Sequence, residues 1–140
     1  MTALAANNDY PPASVRSEGS TVLVVEDEEN LRTLLRRSLQ SHGYRVLEAA
    51  NGAEALLMLE EKHQVDLIVT DLRMPVMDGR QLGSVLSRIY PTMPVVFMSG
   101  FTAQLTNMRL VSPEIAFITK PFRYENLLAL IKQRLESRAS

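Results

Sequence analysis

The chain has 140 residues, 46% of them apolar, with 15 Lys or Arg against 16 Asp or Glu and no cysteine. That supports one domain with a real core and not two, and the near-balanced charge gives no electrostatic footprint for nucleic acid or for an anionic membrane. A disulfide framework, a thiol nucleophile and a cysteine-built zinc site are excluded. With neither a membrane-length apolar run nor a signal-type start, the expectation is a cytoplasmic protein whose partners are proteins.

Residues 1–20 are rich in Ala, Asn, Ser and Pro, including Pro11-Pro12, and show no period; they are read as a disordered tail ahead of a domain spanning 21–138. A continuous apolar run at 21–25 predicts the first strand. The helix after it sets Leu31, Leu34, Leu35 and Leu39 on one face, turns Arg32, Arg36 and Arg37 away, and stops near Gly43. Alternation at 44–48 predicts an edge strand, and Asn51-Gly52 opens a second helix over 53–62. A third strand at 66–70 leads to a helix over 79–89, capped by Asp78 and ended before Pro91. After a fourth strand at 94–98, the helix predicted over 103–111 mixes its apolar residues with Gln104, Thr106 and Asn107, and is the element expected to be least firmly held. A strand at 115–118 precedes a fifth helix carrying Tyr124, Leu127, Leu128, Ile131 and Leu135. Five strand and helix pairs with right-handed crossovers predict a doubly wound parallel α/β sheet.

In such a sheet the working residues stand beyond the carboxyl ends of the strands. Here those ends carry Glu26-Asp27 after strand one, Asp71 after strand three, Ser99-Gly100 after strand four and Thr119-Lys120-Pro121 after strand five. Taken singly, each has a plain explanation: a helix cap or turn for Asp71 and Ser99, a solvated loop cation for Lys120, favourable charge at a helix N-terminus for the acidic run. The set on alternating elements is a different matter. Three converging carboxylates must share protons, with raised pKa values, or gather around a cation. Mg²⁺ (or Mn²⁺) suits oxygen ligands and leaves positions for phosphoryl oxygens, with Asp27 and Asp71 as direct ligands and Glu26 acting through a bound water. Lys120 then supplies a point charge and Ser99 a hydroxyl donor, which together are the positioning and neutralisation that phosphoryl transfer needs.

The motifs Val24 to Asp27, Thr70 to Pro75 with Asp78-Gly79, Met98 to Gly100 and Thr119 to Phe122 make the chain from Thr21 onward resemble the receiver domain of two-component response regulators. The resemblance implies a flavodoxin-like sheet of order 2-1-3-4-5 with five helices. It also implies Asp71 as acceptor from a phosphohistidine on a histidine kinase or histidine phosphotransfer protein, and a metal site of Glu26, Asp27, Asp71 and the backbone carbonyl of Arg73. It implies a cis bond before Pro121 and a switch in which Ser99 moves toward the phosphoryl group while Phe117 swings into the vacated space. The altered face, made by the fourth helix, fifth strand and fifth helix, would then bind a downstream protein. His42 and His63, near helix ends, are read as surface residues and not donors. Glu26 stands where the family more commonly has Asp. Arg73 and Phe101 occupy positions that tune loss of the phosphoryl group, and the bulk of Phe101 leads to an expectation of slow self-dephosphorylation.

On this reading the protein is a phosphoacceptor switch and not an enzyme acting on other substrates. An aspartyl-phosphate phosphatase, the rival from another class, generally needs a second acid two residues past the nucleophile, where this chain has Arg73. With no effector domain expected after Arg138, the expectation is a stand-alone single-domain regulator, with the receiver portion of a hybrid histidine kinase as the alternative.

Overall fold

Side chains alternate across a strand, so an uninterrupted apolar run must be covered on both faces. In the computed structural model, which describes residues 19–61, 64–100 and 115–139, the runs at β1 (Thr21–Val25), β3 (Leu67–Asp71) and β4 (Val95–Ser99) form the buried centre of a five-stranded parallel sheet. The order is β2-β1-β3-β4-β5, with β2 (Arg45–Ala49) and β5 (Ile115–Thr119) at the edges. The alternating strand expected at an edge is there, and the doubly wound fold is as expected. Residues 1–18, Lys62, His63, Phe101 and the helix expected over 103–111 lie outside the described residues.

Alternation also decides which helix covers which face. Leu23, Val25, Ile68, Val95 and Phe97 meet α2 (Gly52–Glu60) and α3 (Gly79–Ile89) through Ala55, Leu59, Leu82 and Leu86. Val22, Val24, Leu67, Val69, Val96 and Met98 meet α1 (Glu29–Ser41) and α4 (Tyr124–Ala139) through Leu35, Leu39, Leu127, Ile131 and Leu135.

Local chemistry fixes the helix ends. α1 closes with Gly43 at φ 92°, its N–H bonded to the Gln40 carbonyl and the Tyr44 N–H to that of Leu39, a Schellman arrangement that only glycine adopts without strain. At α2 the Asn51 side chain accepts the Glu54 N–H at 2.9 Å. Asp78 and Gln81 form a reciprocal capping box at α3, with bonds of 2.9 and 3.0 Å.

The structure corrects several expectations. Strands two, three and four each lie one residue later than expected, and β5 runs one residue further, so Asp71 and Ser99 are the last residues of their strands and not the first beyond them. The ladder continues because it is made of backbone groups: Leu72 N–H bonds to Met98 O at 3.1 Å, and Lys120 N–H to Ser99 O at 2.8 Å. Gly19 and Ser20, assigned to the tail, are already bonded to the Gly43 carbonyl and the Arg45 N–H. On α1, Leu34 is 51% exposed while Arg32 is half-buried. At about 100° per residue, Leu34 lies about 100° from Leu35, the centre of the buried face, whereas Arg32 lies only about 60° from it.

One contact joins the fold to its rim. The first turn of α3 is laid against the end of β3, with Gly79 N–H bonded to Leu72 O at 3.1 Å. A Cβ at position 79 would overlap the Asp71 carbonyl oxygen and come within 2.9 Å of Leu72 Cα. Gly79→Ala is therefore expected to lower stability by about 1–3 kcal/mol in chemical denaturation. Gly100→Ala, whose added methyl meets nothing within 4 Å among the described residues, is the control; equal effects in the two variants would contradict the close packing.

Candidate functional site

Strand register brings the acids together. β1 and β3 are parallel neighbours with Val25 opposite Thr70, so Glu26 and Asp71 follow side by side at the carboxyl edge. On the far side of β3, β4 pairs with β5 with Ser99 opposite Thr119, and Lys120 comes next. The backbone bond from Lys120 to Ser99 anchors the lysine, and its side chain reaches across β4 so that Nζ lies 2.5 Å from Asp71 Oδ2 and 4.0 Å from Glu26 Oε1. Lys120 also lines a cleft with Leu31, Pro121, Phe122 and Tyr124, and its side chain is a third exposed although its ammonium meets buried acids.

Glu26 is 2% and Asp71 7% exposed. Asp71 Oδ1 accepts the Arg73 N–H at 3.0 Å, so both its oxygens are engaged. Glu26 Oε2 accepts the Glu28 N–H at 3.1 Å, while Oε1 is buried without a hydrogen-bond partner among the described residues. Burial pushes the Glu26 carboxyl up to about 8; the adjacent Asp71 adds to the rise, and the Glu28 N–H and Lys120 oppose it. Of the three carboxylates expected to converge, the structure brings together two, Glu26 and Asp71, and burial favours the protonated form of Glu26. A divalent cation is the alternative answer to the same excess charge, since binding it releases such protons.

The donor set fits a hard cation: a buried carboxylate oxygen without a partner, a second carboxylate beside it, and no softer ligand expected there. Among the described residues no three Asp, Glu, His or Cys side chains group closely enough to form a cage of their own. Mg²⁺ does not need one, because it keeps waters and takes one or two carboxylates. Asp27, expected as a direct ligand, is exposed just beyond the end of β1. Ser99 is buried at the end of β4. Phe117 is half-buried on β5 and stacked on Phe97, with ring centroids 5.9 Å apart. The Lys120–Pro121 peptide is cis.

Sequence reading missed a support beneath the site. Arg32 Nη1 donates to the Glu26 carbonyl at 2.7 Å, and its Nε lies 3.2 Å from Glu48 Oε1, whose second oxygen is 3.0 Å from Arg36 Nε. The available signal was one acid on the edge strand facing two arginines a helical turn apart.

A family model described as the response regulator receiver domain matches residues 22–132. The chain is 40% identical over 122 residues to the sensor kinase CckA of Brucella abortus, covering 86% of this chain and 13% of the kinase. It is 34% identical to the response regulator receiver protein CpdR of the same organism, covering 81% of this chain and 95% of that protein. The solved receiver domain of the hybrid histidine kinase CckA superposes with a TM-score of 0.70 at 36% identity, covering 83% of this chain and 99% of that one. The response regulator TrrA of Thermotoga maritima, solved in complex with Mg(2+)-BeF, superposes with a TM-score of 0.74 at 25% identity, covering 82% and 98%. The chain therefore spans a small part of the kinase and nearly all of CpdR.

The Glu26 carboxyl, raised from 4.5 to about 8, holds its proton at neutral pH where the unfolded chain has lost it. Its contribution to stability is full below about pH 4.5 and is lost as pH rises through about 8. In EDTA, the melting temperature of the wild type is expected to fall relative to that of Glu26→Gln between about pH 5 and 9. Parallel curves would contradict the buried, protonated acid.

Proposed function

The chain belongs to the response regulator receiver family, and on that premise we propose that Asp71 accepts a phosphoryl group from a phosphohistidine on a histidine kinase or histidine phosphotransfer protein. The observation that carries this reading is the buried Asp71 carboxylate held against Lys120 beside a second buried acid. An Asp71 oxygen attacks phosphorus, the phosphorus–nitrogen bond breaks, and the imidazole departs with that electron pair. Lys120 neutralises the charge that develops on the phosphoryl oxygens, and the Ser99 hydroxyl donates to another. Glu26, Asp27, Asp71 and the Arg73 carbonyl would hold a divalent ion, Mg²⁺ or Mn²⁺, which supplies positive charge to the same oxygens.

Receivers are phosphoacceptor switches and not enzymes in the ordinary sense. In this chain Ser99 moving toward phospho-Asp71 would free space for Phe117, whose ring carries no hydroxyl, so the change is one of packing. The output is a protein surface that includes β5 and α4. The proposal of slow hydrolysis of the acyl phosphate rests on the bulk of Phe101 in the sequence, a residue outside the described ones. The reading as a stand-alone regulator is supported by the 34% identity to CpdR, 95% of which is matched. The reading as a hybrid-kinase receiver is supported by the 40% identity to CckA.

Phosphoramidate, a small donor with a phosphorus–nitrogen bond, tests the chemistry. Intact mass should show one phosphoryl group gained in Mg²⁺ and none in EDTA, with the rate reduced on the order of 10²-fold in Lys120→Ala. A gain indifferent to EDTA and to the lysine would overturn the reading.

A further inference from the structure

Glu26 is held at three points besides its free oxygen. Its N–H bonds to the Ala49 carbonyl at 3.0 Å, its Oε2 accepts the Glu28 N–H at 3.1 Å, and its carbonyl accepts Arg32 Nη1 at 2.7 Å. These restraints leave Oε1 as the atom presented toward Lys120 and Asp71. Arg32 is itself braced. Glu48 pairs in register with Val24, which faces α1, and its carboxylate lies between Arg32 and Arg36. The Arg32 side chain is only 18% exposed, and a guanidinium can serve two acceptors at once in fixed directions, here a carbonyl and a carboxylate.

We propose that Arg32, oriented by Glu48, is a positioning residue that fixes the Glu26 peptide and thereby sets the affinity of the site for a divalent cation. The inference rests on the reading of Glu26 as a metal-side acid. Sign separates it from the plain alternative. As a nearby positive charge, Arg32 repels a cation, so simple electrostatics makes its removal tighten binding. As a clamp, its removal frees the Glu26 carbonyl and lets the buried carboxylate drift, so binding weakens.

The test is calorimetric titration of the whole chain with Mg²⁺ alone, without phosphodonor, at a temperature where circular dichroism shows each variant folded. Arg32→Ala is expected to weaken binding roughly tenfold, Glu48→Gln to weaken it less, and Arg32→Lys to recover part of the loss. Arg37→Ala, which removes an equal charge from an exposed position on the same helix, should bind as the wild type does or slightly more tightly. If Arg32→Ala does not fold, a smaller loss in Arg32→Lys carries the same conclusion. Binding in the Arg32 variants equal to or tighter than wild type, with Glu26→Gln weakened, would overturn the clamp alone. Unchanged binding in Glu26→Gln would overturn the metal reading and the clamp with it.

Discussion

Parallel pairing of β1 with β3, Val25 opposite Thr70, makes Glu26 and Asp71 neighbours at the end of a sheet whose centre is buried on both faces. Two carboxylates there repel each other with little water to screen them. The fold meets this locally: Lys120 lies against Asp71, backbone N–H groups of Glu28 and Arg73 hold one oxygen of each acid, and burial keeps a proton on Glu26. Each of these is a balance of charge, and on the proposed reading each shifts when a cation or a phosphoryl group arrives.

On the proposed reading the same sheet carries a change at Asp71 outward. Lys120 is bonded through its backbone to Ser99 and through its ammonium to Asp71, so it belongs to both the site and the β4–β5 ladder. Phe97 and Phe117 stack across that ladder a short distance from Ser99. On the proposed reading, a phosphoryl group that draws Ser99 toward Asp71 alters packing along β5 with no hinge in the sheet. Packed interiors respond to such displacements by changing arrangement, because they have little free volume in which to absorb them.

Much of this was legible in the sequence because apolar runs and strand ends are local signals. Val22 to Val25 and Leu67 to Val69 could be read as doubly covered strands, and the polar residues closing each run named the rim. The polar side chains of Asp71 and Ser99 end the apolar runs a residue before the strands themselves end, because the ladder is built from backbone groups that ignore side-chain polarity. Helical phase, not apolarity, decided that Leu34 faces solvent and Arg32 the flank of the sheet. The raised carboxyl of Glu26 and the Arg32 clamp depend on depth and on contacts between β1, α1 and β2, which no single segment encodes. Asp27 shows the converse: its motif is plain, but the strand end leaves it exposed beside the pair.

The central claim is that the phosphoryl group resides on the carboxylate that Lys120 holds. The most direct test is intact mass measurement of wild type and Asp71→Asn after incubation with Mg²⁺ and acetyl phosphate. A single phosphoryl group on the wild type and none on the variant is the expected result. An equal gain on Asp71→Asn, or none on the wild type, would contradict the account.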